Sequence, residues 1–144
     1  MSEKVFVDSS VFVSQVLEDK DYQWSRGKLA KMKNNPKNKF EPYTSHEALG
    51  EVKVAILEAA EESYVEDFYE DFLKYYSDKV YRLTTPEISE YEKTLTEVID
   101  NDSRIDHTDA KIITQAIATG CNKIFTTDSR WSKRHDIRVV IPDG

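Results

Sequence analysis

The sequence predicts an α/β protein: a three-layer α/β/α sandwich around a central, mostly parallel sheet. Short runs of β-branched and aromatic residues alternate along the chain with segments in which apolar residues recur every three or four positions. Strands separated by helices pair in parallel, because each helix carries the chain back across the sheet. No linker-like stretch divides the 144 residues, so we expect one domain over residues 1–144.

The N-terminal half supplies two of the predicted strands and three helices. Ser9 or Ser10 is a suitable cap for the first helix, the Asn34-Asn35-Pro36 cluster ends the second, and Pro42 predicts an edge or irregular strand. The predicted elements are a buried strand over 4–8, a helix reaching residue 17, a helix over 21–33, a strand over 40–44 and a long helix from residue 45.

The C-terminal half continues the alternation. Thr85-Pro86-Glu87 predicts a helix start with a proline in the first turn, and Gly120 predicts a helix end. The predicted elements are an acidic, Tyr- and Phe-rich helix over 62–76, a strand over 79–83, helices over 85–101 and 106–119, and strands over 122–127 and 138–141.

Composition and charge exclude several classes of protein. No apolar run approaches the roughly 20 residues that cross a bilayer, and the first residues lack a signal peptide, so we expect a cytoplasmic protein without membrane contact. One cysteine and three scattered histidines give no zinc-ligand spacing, and the four isolated glycines form no phosphate-binding loop. The net charge of −7 is unevenly distributed: residues 22–40 contain six bases and no acid, whereas residues 58–78 contain eight acids and one lysine.

Two aspartates follow predicted strands directly. Asp8 comes after Val5-Phe6-Val7, and Asp128 comes after the run that ends at Thr127. The carboxyl ends of parallel strands lie at one edge of a sheet, where working sites form, so both acids could share one cleft. Each could instead be a turn former or a helix N-cap.

Asp109 and Glu51 lie on predicted helices. Asp109 precedes Ile112 and Ile113 by three and four residues, which turns it towards the buried side, where a carboxylate needs a metal, a cap or a partner charge. The alternative is a first-turn acid that only favours the helix dipole. Glu51 lies between small and apolar neighbours, but an ordinary exposed glutamate fits this helix as well, and Glu47 competes for the same role.

Together these four acids are typical of a site for Mg²⁺ or Mn²⁺, which prefer oxygen ligands. Metal ions bound by carboxylates lower the pKa of a bound water and stabilise charge during displacement at a phosphate. The four acids are therefore suited to an in-line phosphoryl displacement that bound metal ions assist.

Four segments also resemble, in order, the motifs of the PIN-domain family, and the resemblance covers nearly the whole chain. It identifies Asp8, Glu51, Asp109 and Asp128 as the catalytic and metal-binding acids of that family. It implies supporting roles for Ser10, Asp106 and Ser129. The matching segments are residues 5–11, 48–52, 106–113 and 124–131, followed by the closing strand at 137–141.

The resemblance implies Mg²⁺- or Mn²⁺-dependent cleavage of RNA that leaves 5′-phosphates. The small stand-alone members of the family resemble VapC toxins, which implies a homodimer and a small antitoxin partner. A housekeeping RNA-processing nuclease and a PIN-like scaffold that binds RNA or protein without cutting remain alternatives. A phosphate-accepting regulator fits poorly, because no matching lysine and threonine arrangement is found. For contact with RNA phosphates we expect bases from two regions, namely Arg130, Lys133 and Arg134 after the fourth acid, and Lys28 and Lys31 in the basic segment.

Overall fold

Five short strands form one parallel sheet in the computed structural model, which describes residues 2–33, 39–59 and 82–143. The strands lie in the order β3-β2-β1-β4-β5, and all four pairings are parallel. This confirms the predicted sheet. The strands are β1 (Glu3–Val7), β2 (Phe40–Thr44), β3 (Arg82–Leu83), β4 (Lys123–Phe125) and β5 (Arg138–Val140).

The strand order places β1 and β4 side by side in the middle of the sheet. The chain adds β2 and β3 on one side of β1 and then returns to add β4 and β5 on the other side. Ligands of open parallel sheets bind at such a reversal, outside the carboxyl ends of the two central strands. The fold therefore predicts a site where β1 and β4 end.

Helices cover both faces of this sheet. The described helices are α1 (Ser9–Leu17), α2 (Tyr22–Lys33), α3 (His46–Ala59), α4 (Ile88–Asn101) and α5 (His107–Ala118), with a short 3-10 helix at Ser129–Lys133. Val5 and Val7 pack with α1, α2 and α3, whereas Phe6 packs with α5 on the opposite face. Side chains of β1 alternate between the two faces, and both faces are buried at the end of the strand, which explains why Val5, Phe6 and Val7 are all apolar.

Three local predictions need correction. Asp8, rather than Ser9 or Ser10, occupies the N-cap position of α1, and it makes no capping hydrogen bond with its side chain. Pro86 precedes α4, whose N-cap is Glu87, so the proline lies before the first turn and not within it. The third correction concerns β2, where Pro42 pairs with Val5 inside the sheet and not at its edge.

The position of β3 explains how an inner strand accepts a proline. The described part of β3 begins opposite Tyr43, so no described strand lies beside Pro42 on the outer side of β2. Pro42 has no backbone N–H to donate, and no described strand on that side of β2 has a carbonyl group that would need it.

Other predicted boundaries agree with the structure to within a few residues. Gly120 follows α5 with a φ of 88°, the left-handed conformation that ends a helix, as predicted. The predicted helix over 62–76 and the Asn34-Asn35-Pro36 cluster lie outside the described residues. In the described part of the chain, no helix combines the length and apolar character that crossing a bilayer requires.

Candidate active site

Asp8 lies buried where β1 ends, with 4% of its surface exposed. Its backbone N–H donates to the carbonyl of Phe125 at 3.0 Å, which fixes it against the end of β4. Two hydroxyl groups donate to the same carboxylate oxygen, Oδ2: Ser10 Oγ at 2.7 Å and Thr126 Oγ1 at 2.8 Å. Side chains from the start of α1 and from the end of β4 therefore hold the carboxylate of Asp8 in one orientation.

Burial raises the pKa of the Asp8 carboxyl, because the charged form loses its hydration. The hydrogen bonds from Ser10 and Thr126 act in the opposite direction, since they stabilise the charged form. The desolvation effect is the larger of the two. The charged form of Asp8 is therefore energetically unfavourable in this position unless a cation neutralises it.

Glu51 reaches the same region from α3. Ser9 Oγ donates to Glu51 Oε1 at 3.0 Å, which joins the glutamate to the start of α1. Burial raises the pKa of Glu51, and the negative charges of Asp8, Asp109 and Asp106 raise it further. The glutamate is therefore half-buried and faces the other acids, which is not the environment of an ordinary exposed helix residue.

Glu47, the rival for this role, lies in a different environment. Its charge acts on Tyr91 of α4, whose pKa is raised first by burial and then by Glu47. Glu51, in contrast, lies close enough to Asp8 and Asp109 for their charges to raise its pKa.

Asp109 lies in the first turn of α5, and the simpler capping role belongs to Asp106. The Asp106 side chain accepts from the backbone N–H of Thr108 at 2.9 Å and of Asp109 at 3.4 Å. Asp109 is thereby left for another role. Burial raises its pKa, and the charges of Asp106, Asp8 and Asp128 add to that effect.

Asp128 lies just after β4 and is paired with a cation of this chain. Arg130 Nε lies 3.0 Å from Asp128 Oδ1, and Arg130 Nη2 lies 2.7 Å from Oδ2. This contact lowers the pKa of Asp128 despite partial burial. The same Nη2 is 3.8 Å from Asp109 Oδ2, so one exposed guanidinium bridges two of the four acids.

The chemistry of the donor set fits a hard divalent cation. All four acids offer oxygen ligands, and burial or neighbouring negative charge raises the pKa of Asp8, Glu51 and Asp109. Among the residues described, however, no three acidic, histidine or cysteine side chains converge closely enough to hold one ion. Since Arg130 holds Asp128, this carboxylate would have to exchange the guanidinium for a metal in order to join the set.

The other residues that the sequence predicted for the site differ in their exposure and in their contacts. Ser10 supports Asp8 directly, whereas Ser129 is exposed and makes no hydrogen bond to these acids within the described residues. Lys133 is exposed on the 3-10 helix that follows Asp128, but the Arg134 side chain is only 6% exposed and donates to the Val98 carbonyl at 3.2 Å. The predicted RNA contact of Arg134 stays a prediction, and its buried position does not favour it.

Two functional candidates escaped the sequence analysis, Thr126 and Ser9. Thr126 is fully buried at the end of an apolar strand, and Ser9 follows the first acid directly. A buried hydroxyl at the end of a strand next to Asp8 is a signal that could have identified Thr126. Ser9 could be recognised only from the packing of α1 on α3.

Thr126→Val is expected to lower the free energy of unfolding by about 1 kcal/mol, because it removes one donor to Asp8. Part of the loss should disappear as the pH falls and Asp8 takes up a proton. The remainder should persist, since Thr126 Oγ1 also accepts from the Asp128 N–H at 3.1 Å. Urea unfolding at several pH values measures both parts, with Thr127→Val as the control, and equal losses in the two variants would contradict this.

Comparison with known proteins adds the family. The sequence matches the PIN domain family over residues 5–136. A search of curated protein sequences finds no match. Among solved structures, the chain is similar to VapBC2 from Rickettsia felis, bound to a DNA fragment from their promoter, with 14% identity, a TM-score of 0.70 and coverage of 97% of this chain and 99% of that one. It is also similar to VapC20 from Mycobacterium tuberculosis, described as a Sarcin-Ricin loop cleaving toxin, with 16% identity, a TM-score of 0.66 and coverage of 93% and 98%.

The family match extends from β1 to the residues just beyond the 3-10 helix, and thus includes all four acids and both central strands. At 14% and 16% identity, the similarity of this chain to the two solved structures concerns the fold alone. With the parallel sheet and the acids at the ends of β1 and β4, the sequence match establishes that this chain belongs to the PIN domain family.

Proposed function

We propose that this chain is a metal-dependent endoribonuclease that hydrolyses phosphodiester bonds of RNA and acts as the toxin of a type II toxin–antitoxin pair. One observation carries the proposal. Asp8, Glu51 and Asp109 are carboxylates from three different elements, and each has its pKa raised by burial. The charge of Asp8 also raises the pKa of the other two, so these three carboxylates repel one another.

In this proposal Asp8, Glu51, Asp109 and Asp128 hold Mg²⁺ or Mn²⁺. A bound divalent ion would supply an activated water and would stabilise negative charge on the phosphate. The chain's own hydroxyls position the ligands: Ser10 and Thr126 occupy Oδ2 of Asp8. Ser9 orients Glu51 in the same way, so that the acids are ordered before a cation arrives.

The exposed bases beside this centre suit contact with RNA. Arg130 and Lys133 lie on the 3-10 helix that directly follows Asp128, and both side chains are exposed. A phosphate contact at this position would place the RNA backbone next to the acids. Lys28 and Lys31 lie on α2 and line a separate cavity.

Two similarities support the toxin assignment. The chain is covered almost entirely by the match to VapBC2, and the VapC20 structure is that of a toxin that cleaves the Sarcin-Ricin loop. By analogy, we expect a small antitoxin partner, a homodimer and action in the cytoplasm. Because these neighbours share at most 16% identity with this chain, the RNA that it cuts is a separate question.

The test is incubation of the purified protein with a mixed set of labelled RNAs in Mn²⁺, in Mg²⁺ and in EDTA. We expect cleavage that requires a divalent ion, is abolished by EDTA and leaves 5′-phosphate ends. Cleavage that continues in EDTA would refute metal dependence. If the RNAs stay intact in both metals, the toxin assignment can still be tested by co-purification with the product of an adjacent small gene.

A non-catalytic scaffold is the second candidate, and one observation favours it. Arg130 already neutralises Asp128 and reaches Asp109, and no three acids converge among the residues described. A scaffold would bind RNA without cutting it and would show no Mn²⁺ binding in calorimetric titration. A housekeeping nuclease would instead cut RNA and have no antitoxin partner.

A further inference from the structure

A basic cavity lies between α2 and the strands β4 and β5, and none of the four acids lines it. Its volume is about 190 Å³. Four cationic side chains line it: Lys28 and Lys31 from α2, Lys123 from β4 and Arg138 from β5. The sequence pattern predicts phosphate contact for Lys28 and Lys31 alone, because Lys123 and Arg138 lie roughly 90 to 110 residues further along the chain.

The cavity has more positive than negative charge. Glu3 lies 3.3 Å from Lys123, and the charge of Asp143 acts on Lys28 from a greater distance. Within the described parts of the chain, no carboxylate lies within ion-pair distance of Lys28, Lys31 or Arg138. Among the described residues, two acids therefore act on four cations, which leaves an excess of two positive charges.

Burial and the neighbouring bases both disfavour the charged form of Lys28. Burial lowers the pKa of Lys28, and the charges of Lys31 and Lys123 lower it further. A fold that brings four cations together with fewer internal counter-charges gains if an anion binds between them.

Aromatic rings hold two of the ammonium groups in place. Lys28 Nζ lies 5.6 Å from the centre of the Phe125 ring, and Lys123 Nζ lies 5.5 Å from the same centre. Lys123 Nζ is also 5.6 Å from the centre of the Phe40 ring. Cations on aromatic faces lose less freedom when a ligand binds, so this arrangement is partly organised in advance.

The size and charge of the cavity indicate the class of anion. It is smaller than the roughly 300–1,000 Å³ of a site for a drug-sized molecule, which favours a small group. A phosphate monoester carries about −1.5 to −2 charges at neutral pH, whereas a phosphodiester within a strand carries one. An excess of two positive charges therefore matches a terminal phosphate better than an internal one.

The cavity is also close enough to the acidic centre to take part in binding the same RNA. Lys123 begins β4, and Asp128 follows that strand by only five residues along the chain. An extended chain rises by about 3.3 Å per residue, so their α-carbons are at most about 17 Å apart. A few nucleotides of single-stranded RNA could therefore connect the two places.

We propose that this cavity binds the terminal phosphate of a nucleotide, either free or at the end of an RNA strand. The RNA form of the proposal rests on the proposed function. The free-nucleotide form does not depend on it. Lys31 and Arg138 are the residues to vary, since both side chains are exposed and their replacement leaves the core intact.

The test compares ligands that differ only at the terminal phosphate. The full chain is titrated in EDTA with uridine 5′-monophosphate, uridine, and a short RNA with either a 5′-phosphate or a 5′-hydroxyl. The variant is Lys31→Gln with Arg138→Gln. The control is Lys20→Gln with Lys93→Gln, which removes the same charge at two exposed positions outside the cavity.

We expect the phosphorylated ligand to bind the wild-type chain roughly tenfold more tightly than its unphosphorylated counterpart. The cavity variant should lose that preference, and the control should keep it. A preference limited to the mononucleotide identifies a free nucleotide as the ligand, and one limited to the short RNA identifies a strand end. Equal binding of both members of each pair, or a preference that survives in the cavity variant, would overturn the proposal.

This result is independent of the nuclease assay. EDTA removes metal-dependent cleavage, so a failure of the nuclease proposal leaves the phosphate preference measurable. Conversely, metal-dependent cleavage without any phosphate preference would reject the cavity proposal and retain the nuclease.

Discussion

Asp8→Asn is expected to abolish metal-dependent cleavage of RNA and, at the same time, to raise the melting temperature. Without the carboxylate the centre loses its most buried ligand, and we expect the rate to fall by roughly a thousandfold. The stability gain has a separate cause. Burial raises the pKa of Asp8, so its negative charge destabilises the fold at neutral pH when no metal is bound.

The pH dependence gives the sign of this effect. A carboxyl with a raised pKa binds more protons in the folded state, so its contribution to stability falls as the pH rises from the ordinary value of 3.8 through the raised value. The variant should therefore be more stable than the wild type near pH 7, and the difference should close as the pH falls. A chain of this size shifts its melting temperature by about 2–4 °C for each kcal/mol.

Thermal unfolding in EDTA at several pH values measures the gain in stability, and Asp100→Asn is the matched control. Asp100 is exposed on α4, so its replacement removes one negative charge without changing the buried centre. If Asp8→Asn lowers the melting temperature instead, the hydrogen bonds that Asp8 accepts would matter more than its charge. Full cleavage by the variant would remove Asp8 from the proposed mechanism.

The architecture was largely predictable from the sequence because the periodic signals agree with the topology. The apolar run before Asp8 indicates a strand buried on both faces, and β1 lies in the middle of the sheet. Pro42 misled the prediction for a physical reason. A proline disfavours an inner strand in general, but here the described part of β3 starts one residue further along β2.

The acids of the candidate site were predictable from the sequence, whereas the residues that donate hydrogen bonds to them were less so. A strand that ends in an aspartate carries its own signal, whereas the donor to that aspartate comes from Thr126, 118 residues later. The same limit applies to Lys123 and Arg138, which join the basic cavity only through the pairing of β4 with β5. Contacts between distant parts of the chain follow from the register of the strands, which the sequence pattern does not specify.

Arg130→Gln is expected to tighten the binding of Mn²⁺ by roughly tenfold. In the structure the Arg130 guanidinium covers both oxygens of Asp128 and lies 3.8 Å from Asp109, so it occupies a position that a cation would need. Its removal frees the carboxylate of Asp128 and makes the centre more negative by one charge. Both changes favour a divalent ion.

Lys133→Gln is the matched control for this titration, because Lys133 lies three residues further along the same 3-10 helix and is exposed. It removes the same charge from the neighbourhood without freeing a carboxylate. Tighter binding in Arg130→Gln alone would show that Arg130 competes with the metal for Asp128. Equal changes of Mn²⁺ affinity in both variants would show that only the loss of a nearby positive charge matters. Weaker binding in Arg130→Gln would mean that the arginine helps to assemble the centre. Competition would give Arg130 two alternating partners, Asp128 before the metal binds and an RNA phosphate afterwards.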